Sequence, residues 1–370
     1  MTRSAADPIP IERRPASAPV SGAQRAEIMK DPGFGRVFTE HMVSIRWSAG
    51  RGWHDGELRP FASIDLHPAA MVFHYGQAIF EGLKAYRRAD GSIATFRPFE
   101  NARRFQRSAE RMAMPELPED AFVRAIEVLV RQDVDWIPTG AGESLYLRPM
   151  LVATEIGLGV RPSAEYLFLL IASPVGQYFA NGVHPVSVWL SETYTRAAPG
   201  GTGAAKAAGN YAATLVTQAE AAAHGCDQVV WLDAVERRWI EEMGGMNVFL
   251  VYGSGPGARI MTPGLTGTLL PGVTRDSLLT LARGIGYEAG EGRVSVEDWR
   301  AGCADGSITE SFACGTAAVI TPIGSVRSAD ASWTIGDGEP GPATMRLRDA
   351  LTDLQYGVAP DPYGWMHRIC

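Results

Sequence analysis

The sequence has 370 residues, 46% of them apolar and 20% charged, with nine Trp and a net charge of −7. This is the composition of a soluble globular chain, long enough for two domains with cores of their own. The acidic balance gives no general attraction for nucleic acid or an anionic membrane surface, both of which need clustered Lys and Arg; no apolar run reaches the roughly 18 residues of a membrane span.

The N-terminal stretch MTRSAADPIPIERRPASAPV lacks the apolar core of a signal peptide. Its Pro, Ala and Ser bias predicts a flexible leader over residues 1–30. Strand-like and helix-like segments then alternate, which predicts a mixed fold of α+β or α/β class. HMVSIRWS (41–48) reads as a strand, and 97–112 and 119–137 have helical spacing of apolar residues. Segments 144–155 and 165–175 return to strands, the second apolar enough for burial on both faces. A Gly- and Asn-containing stretch follows. The expected division is a small α/β domain at 31–176, a linker at 177–190 and a large domain at 191–370.

The second half opens on a strand, 186–193, followed by an Ala-rich helix at 210–225 that Gly225 closes. DQVVWLDAVERRWIEEM reads as two strands around a charged turn, and MNVFLVYG and ARIMT as further strands. A helix is expected over 274–286 with Thr274 as a candidate N-cap. The four cysteines, Cys226, Cys303, Cys314 and Cys370, form no CxxC pair. That argues against a disulfide framework or structural zinc and for a reducing, cytoplasmic setting. The seven His are equally scattered, so no metal is expected.

Four segments are candidates for chemistry. GGTGAAKAAGNY (200–211) surrounds Lys206 with small residues, as a surface loop or a site around a reactive amine would. LLPGVTRDSLLTLA (269–282) leads through Val273 and Thr274 into a helix whose first amides suit a phosphate, or simply cap a helix. FACGTAAVITP (312–322) brings small residues and Thr316 to a turn where a ligand can approach the backbone. In WIEEMGGMN (239–247), strand alternation predicts one solvated and one inward carboxylate of Glu241 and Glu242, the inward one needing a cationic partner. An imine-forming lysine, a phosphate-ready helix end, an inward carboxylate and a tyrosine a turn after the lysine are the parts a pyridoxal phosphate enzyme needs.

With HYGQAIFEGLKAYR, LYLRP, GGTGAAKAAGNYAA, CDQVVWLDAVERRWIEEMGGMN, LLPGVTRDSLL and FACGTAAVITP in this order, the chain resembles the branched-chain amino acid aminotransferases, class IV pyridoxal-phosphate enzymes of fold type IV, in their actinobacterial form. The resemblance implies two α/β domains with pyridoxal 5'-phosphate at their interface, and transamination of Leu, Ile and Val with 2-oxoglutarate. Lys206 matches the Schiff-base lysine, Tyr211 the tyrosine on the cofactor's phenolic oxygen, and Glu242 the partner of the ring nitrogen. Arg104, Val273, Thr274 and Thr316 match phosphate contacts. Tyr75, Phe80, Tyr146, Arg148, Val160 and Tyr178 match the side-chain pocket, with Thr316 and Ala317 at the substrate α-carboxylate. Tyr75 and Val160 serve the other subunit in that family, which implies a homodimer. The family's mammalian CxxC pair is replaced by Ala318 and Thr321. Alternatives within the fold are a D-amino acid aminotransferase or an aminodeoxychorismate lyase. A cofactor binder without turnover is a third, and the intact lysine, glutamate and tyrosine argue against it.

Overall fold

Residues 9–176 and 182–370 are described in the computed structural model. They fall into two units, one of residues up to 178 with 355–357 and 361–370, the other of residues 179–354 with 358–360. In the first unit, β1 (Ile11–Arg13), β2 (His41–Ser48), β3 (Gly52–Pro60), β4 (Ala78–Phe80), β5 (Leu83–Arg87), β6 (Ile93–Phe96), β7 (Ser144–Ala153) and β8 (Glu165–Val175) build one sheet. Its order is β1-β3-β2-β8-β7-β5-β6, with β4 on β7. The unit also carries helices α1 (Gly22–Ile28), α2 (Met71–Tyr75), α3 (Pro98–Arg111) and α4 (Glu119–Gln132). α3 and α4 cover the sheet by packing Phe105 and Phe122 on Phe168 of β8, with ring centroids 5.4 to 6.3 Å apart.

The period of two along β7 fixes a functional face. Leu145, Leu147, Leu151 and Ala153 point into the core, which turns Tyr146 and Arg148 to the opposite side. α4 is shorter than the spacing predicts. Its periodicity continues, but the chain tightens to a single 3-10 turn at Val134–Trp136, and the Asp133 carboxylate is taken by the His41 backbone N–H at 3.1 Å.

The expectation of a flexible leader is corrected from residue 9 onward; residues 1–8 lie outside the described residues. β1 pairs in parallel with β3, the Ala16 N–H donates to His41 Nε2 at 3.0 Å, and Ser21 and Gln24 form a reciprocal cap on α1. Ile9 and Ile11 also pack on the apolar core, so strand pairing, side-chain hydrogen bonds and apolar contact together hold an arm whose Pro, Ala and Ser bias suggests none of them.

The second unit contains β9 (Val186–Ser191), β10 (Gln228–Leu232), β11 (Ile240–Met243), β12 (Met246–Tyr252), β13 (Arg259–Pro263), β14 (Glu288–Gly292), β15 (Ile308–Gly315), β16 (Val319–Arg327) and β17 (Ser332–Thr334). The order is β11-β10-β9-β16-β15-β12-β13-β14, with β17 on β16, and a β11–β12 hairpin joins the path back on itself. Val188, Leu190, Val230, Ile240, Val248, Leu250 and Ala313 fill the core of this sheet. Helices α5 (Ala208–Ala212), α6 (Leu215–Ala223), α7 (Val273–Gly284), α8 (Val296–Asp305) and α9 (Pro342–Tyr356) complete the order. The helix expected over 210–225 is two helices, because the Thr214 hydroxyl donates to the Tyr211 carbonyl at 2.7 Å and interrupts the ladder.

Two expected boundaries move. Residues 186–190 of the anticipated linker are strand β9, and 177–181 lie outside the described residues. The last segment, assigned from sequence to the large domain, returns to the first unit, where β18 (Met366–Arg368) pairs with β6. Both sheets mix parallel and antiparallel pairs, and helices pack on them, as an α+β fold does.

Candidate active site

In the second unit, Lys206 is half-buried between the buried Ala205 and Ala207, just before α5. Its Nζ donates to the Tyr211 hydroxyl at 2.7 Å. Tyr211 is the fourth residue of α5 and Lys206 precedes the extended N-cap Ala207, so the contact joins the loop to the first turn of the helix. The ring of Tyr211 lies against the β11–β12 hairpin, where a Cβ on Gly245 would come within 3.2 Å of it.

That hairpin carries Glu242, 2% exposed. Its Oε1 accepts from the Leu270 N–H at 2.6 Å and from Asn247 Nδ2 at 3.3 Å. Its Oε2 lies 2.9 Å from Nε of Arg196, whose side chain is 6% exposed. The Arg196 Nε–H is not aligned on that oxygen, so the contact is ionic rather than a directed hydrogen bond. Burial pushes the Glu242 carboxyl up, against the pull of Arg196, the Leu270 amide and Lys206.

The expectation of one solvated acid is corrected: Glu241 is 6% exposed. β11 has structure on both faces, and on the second face Glu241 accepts a short hydrogen bond from the Thr268 hydroxyl. Burial raises its carboxyl too, with Thr268 and Arg196 opposing. No local motif singles out Arg196. The signal available in the sequence is the requirement that an inward carboxylate find a cation.

α7 begins at Val273, and its N-cap is Gly272, with no side-chain cap. Thr274 therefore sits in the first turn and is not the N-cap the sequence suggests. A Cβ on Gly272 would lie 2.1 Å from Asn247 Oδ1, so glycine is required by the close approach of Asn247, which also reaches Glu242. The result is a helix start at Val273 and Thr274, tied to the Glu242 hairpin and open to an anion. Thr316 and Ala317 lie in the turn between β15 and β16, closed by the Gly315–Val319 pair. Val319 adopts φ +63°, unusual for a β-branched residue and a mark of a strained turn.

In the first unit, Arg148 Nη2 donates to the Tyr146 hydroxyl at 3.1 Å. Its guanidinium lies 4.8 Å above the Phe80 ring and 5.3 Å from that of Tyr146. Arg148 Nε is buried with no hydrogen-bond partner, and among the described residues no carboxylate pairs with this arginine. Gly82 makes room for Tyr146: a Cβ there would fall 2.1 Å from the tyrosine hydroxyl. Arg104 on α3 is paired through Nε and Nη2 with both oxygens of the fully buried Glu81, at 2.7 and 2.8 Å. Tyr75 and Val160 lie elsewhere. Tyr75 donates to the Leu158 carbonyl, and Val160 is 86% exposed, so it lines no pocket within the single chain. Tyr178 lies outside the described residues.

The second unit thus carries a lysine amine on a phenol, a buried carboxylate and a helix start without a side-chain cap. Residues 78–326 match the amino-transferase class IV family, to which this chain belongs. It is 61% identical over 360 residues to a probable branched-chain-amino-acid aminotransferase of Streptomyces coelicolor, covering 97% of this chain and 98% of that one. It is 57% identical to the branched-chain-amino-acid aminotransferase of Mycobacterium tuberculosis, covering 95% and 96%. The branched-chain amino acid aminotransferase of Escherichia coli superposes with a TM-score of 0.73 at 30% identity, over 89% of this chain and 100% of that one. The enzyme of the same name from Thermobaculum terrenum, in its PLP-bound holo form, does so with a TM-score of 0.69 at 25% identity, over 88% and 98%. The fold is that of these type IV enzymes.

Proposed function

We propose that this chain transfers the amino group of L-leucine, L-isoleucine and L-valine to 2-oxoglutarate, giving the 2-oxo acids and L-glutamate, with pyridoxal 5'-phosphate held on Lys206. The observation that carries the reading is the 2.7 Å contact of Lys206 Nζ with the Tyr211 hydroxyl beside the buried Glu242. When bound, the cofactor supplies an electron sink for the bond broken at the substrate α-carbon. Everything else is done by this chain's side chains. Lys206 anchors the cofactor and carries a proton at Nζ. Tyr211 orients that amine and hydrogen-bonds the phenolic oxygen. Glu242 keeps the ring nitrogen protonated. The amides and hydroxyl at Val273 and Thr274, with Thr316 and Arg104, take the phosphate.

On the substrate side, Phe80 offers an apolar wall to an aliphatic side chain. Arg148 with Tyr146 meets the γ-carboxylate of glutamate, a role supported by the absence, among the described residues, of a carboxylate paired with this arginine. Thr316 and Ala317 receive the α-carboxylate. The exposure of Val160 and Tyr75 supports a homodimer in which they reach the pocket of the other subunit. Among the described residues no helix is long and apolar enough to cross a membrane, and we place the protein in the cytoplasm. The test is a panel of L- and D-amino acids with 2-oxoglutarate, followed by glutamate formation. The L-branched-chain acids are expected to be best; a preference for D-amino acids, or cofactor binding without glutamate formation, would overturn the reading.

A further inference from the structure

We propose that Arg196 is the positioning residue for Glu242: its guanidinium, fixed by backbone carbonyls, holds that carboxylate ionised and in one orientation, and shares its charge with Glu241. The inference rests on the reading of Glu242 as the ring-nitrogen partner. Arg196 Nη2 donates to the carbonyls of Thr268 at 2.6 Å and Gly203 at 3.3 Å, which leaves Nε beside Glu242 Oε2 at 2.9 Å. Gly203 is itself forced to be small, since a Cβ there would fall 2.1 Å from the same Thr268 carbonyl. Thr268 is thus a hub. Its carbonyl fixes the arginine, while its hydroxyl donates to Glu241 and bonds the Thr266 hydroxyl at 2.8 Å.

Glu242 and Glu241 share one buried arginine, and Lys206 is the second cation acting on Glu242. Glu242 has the arginine in contact, and Glu241 has the Thr268 hydroxyl. Without Arg196, a carboxylate that is 2% exposed would keep only the Leu270 and Asn247 donors and would favour its neutral form. A neutral Glu242 cannot keep the ring nitrogen protonated. The charged groups that face Glu242 are Arg196, Lys206 and Glu241.

The experiment compares holoenzymes of wild type, Arg196→Met, Arg196→Lys and Glu242→Gln. The readouts are the visible absorbance of the bound cofactor against pH, and kcat and KM. Arg196→Met is expected to shift the pH at which the visible band changes in the same direction as Glu242→Gln. Its kcat should fall about 100-fold with KM changed less than about threefold, the pattern of an interaction made in the transition state. Lysine restores charge but cannot reach two carbonyls and the carboxylate together, so Arg196→Lys should lose about tenfold and shift the band partway. An Arg196→Met protein that is less stable, yet keeps the wild-type band profile while Glu242→Gln moves it, would make Arg196 structural and overturn the proposal. Should the Met variant not fold, the Lys variant decides, and a wild-type profile from it overturns the proposal. Should Glu242→Gln itself leave band and kcat unmoved, the assignment of Glu242 fails, and the clamp with it.

Discussion

Arg104 and Glu81 form a two-pronged ion pair in the first unit, Nε to Oε1 at 2.7 Å and Nη2 to Oε2 at 2.8 Å, with side chains only 5% and 0% exposed. Glu81 also accepts from Asn101 Nδ2 at 2.8 Å and from the Gly82 N–H at 3.2 Å, so both oxygens are engaged, chiefly by α3. Arg104 is therefore held in one orientation by Glu81.

Removing Glu81 leaves a buried guanidinium uncompensated. Glu81→Ala should cost about 3–5 kcal/mol of stability and weaken cofactor affinity, because the arginine loses its orientation. Urea unfolding of the apoprotein and cofactor titration check the two effects separately. A variant within about 1 kcal/mol of wild type, the loss of a surface pair, would show that Glu81 does not hold Arg104.

Lys206→Ala should abolish transamination and leave the fold intact. Its neighbours Ala205 and Ala207 are already small and buried, so the packing loses little, while the amine that anchors the cofactor and carries the proton is gone. Far-ultraviolet circular dichroism tests the fold, and glutamate formation tests the chemistry. Activity within tenfold of wild type, about 1.4 kcal/mol of barrier, would reject the role.

Four main-chain N–H groups converge on the Asp233 carboxylate, from Val235, Glu236, Arg238 and Trp239, at 2.7 to 3.1 Å. Burial alone would raise this acid, but the hydrogen bonds win and pull it down to about 2 from its ordinary 3.8. The stabilisation is fully present above the ordinary value and is lost as pH falls from there through about 2. Asp233 is partly exposed, so solvent screening leaves about 1 kcal/mol rather than the full shift. Asp233→Ala should be less stable than wild type by that amount at pH 7, with the gap closing below about pH 3. Urea midpoints at both values decide it, and an equal gap at each would remove the charge from the account.

Lys206 and Tyr211 are legible in the sequence because their relationship is local, within a few residues of one motif. Strand alternation asks for one inward carboxylate in the β11 pair, and the motif around it selects Glu242; that Glu241 is buried as well does not follow from alternation. What sequence cannot supply is contact across long separations. Arg196 meets Glu242 from 46 residues away in number, and Glu241 is covered by Thr268, which joins it only when the chain returns. The same holds for β18, whose pairing with β6 leaves no trace in local composition. The leader misleads for a different reason, since the few residues that tie it down, Ile9, Ile11 and the Ser21–Gln24 cap, are outnumbered by Pro, Ala and Ser in its composition.

Mild thiol oxidants should leave activity nearly unchanged. Cys314 is 1% exposed and burial pushes its thiol far up, and Cys303 is raised to about 11 by burial, so neither offers a thiolate near neutral pH. Ala318 and Thr321 stand after the Thr316 turn where a redox pair would need two cysteines. Inactivation by hydrogen peroxide that dithiothreitol reverses would contradict this.

Arg148→Met should spare the half-reaction with leucine and cripple the one with glutamate. Leucine asks the pocket only for apolar contact, which Phe80 still supplies. Glutamate brings a second carboxylate out of water, and an unpaired buried charge costs several kcal/mol. In the wild type, the Arg148 guanidinium is held over Phe80 and bonded to the Tyr146 hydroxyl, with its Nε unsatisfied. Its position is set, and among the described residues no carboxylate pairs with it. Losing it should raise the barrier for glutamate by about 2–4 kcal/mol, as for truncating one partner of a buried charged pair. Single-turnover rates for each half-reaction separate the cases. Equal losses for leucine and glutamate would mean that Arg148 acts by holding Tyr146 in place, and the γ-carboxylate would then need another partner.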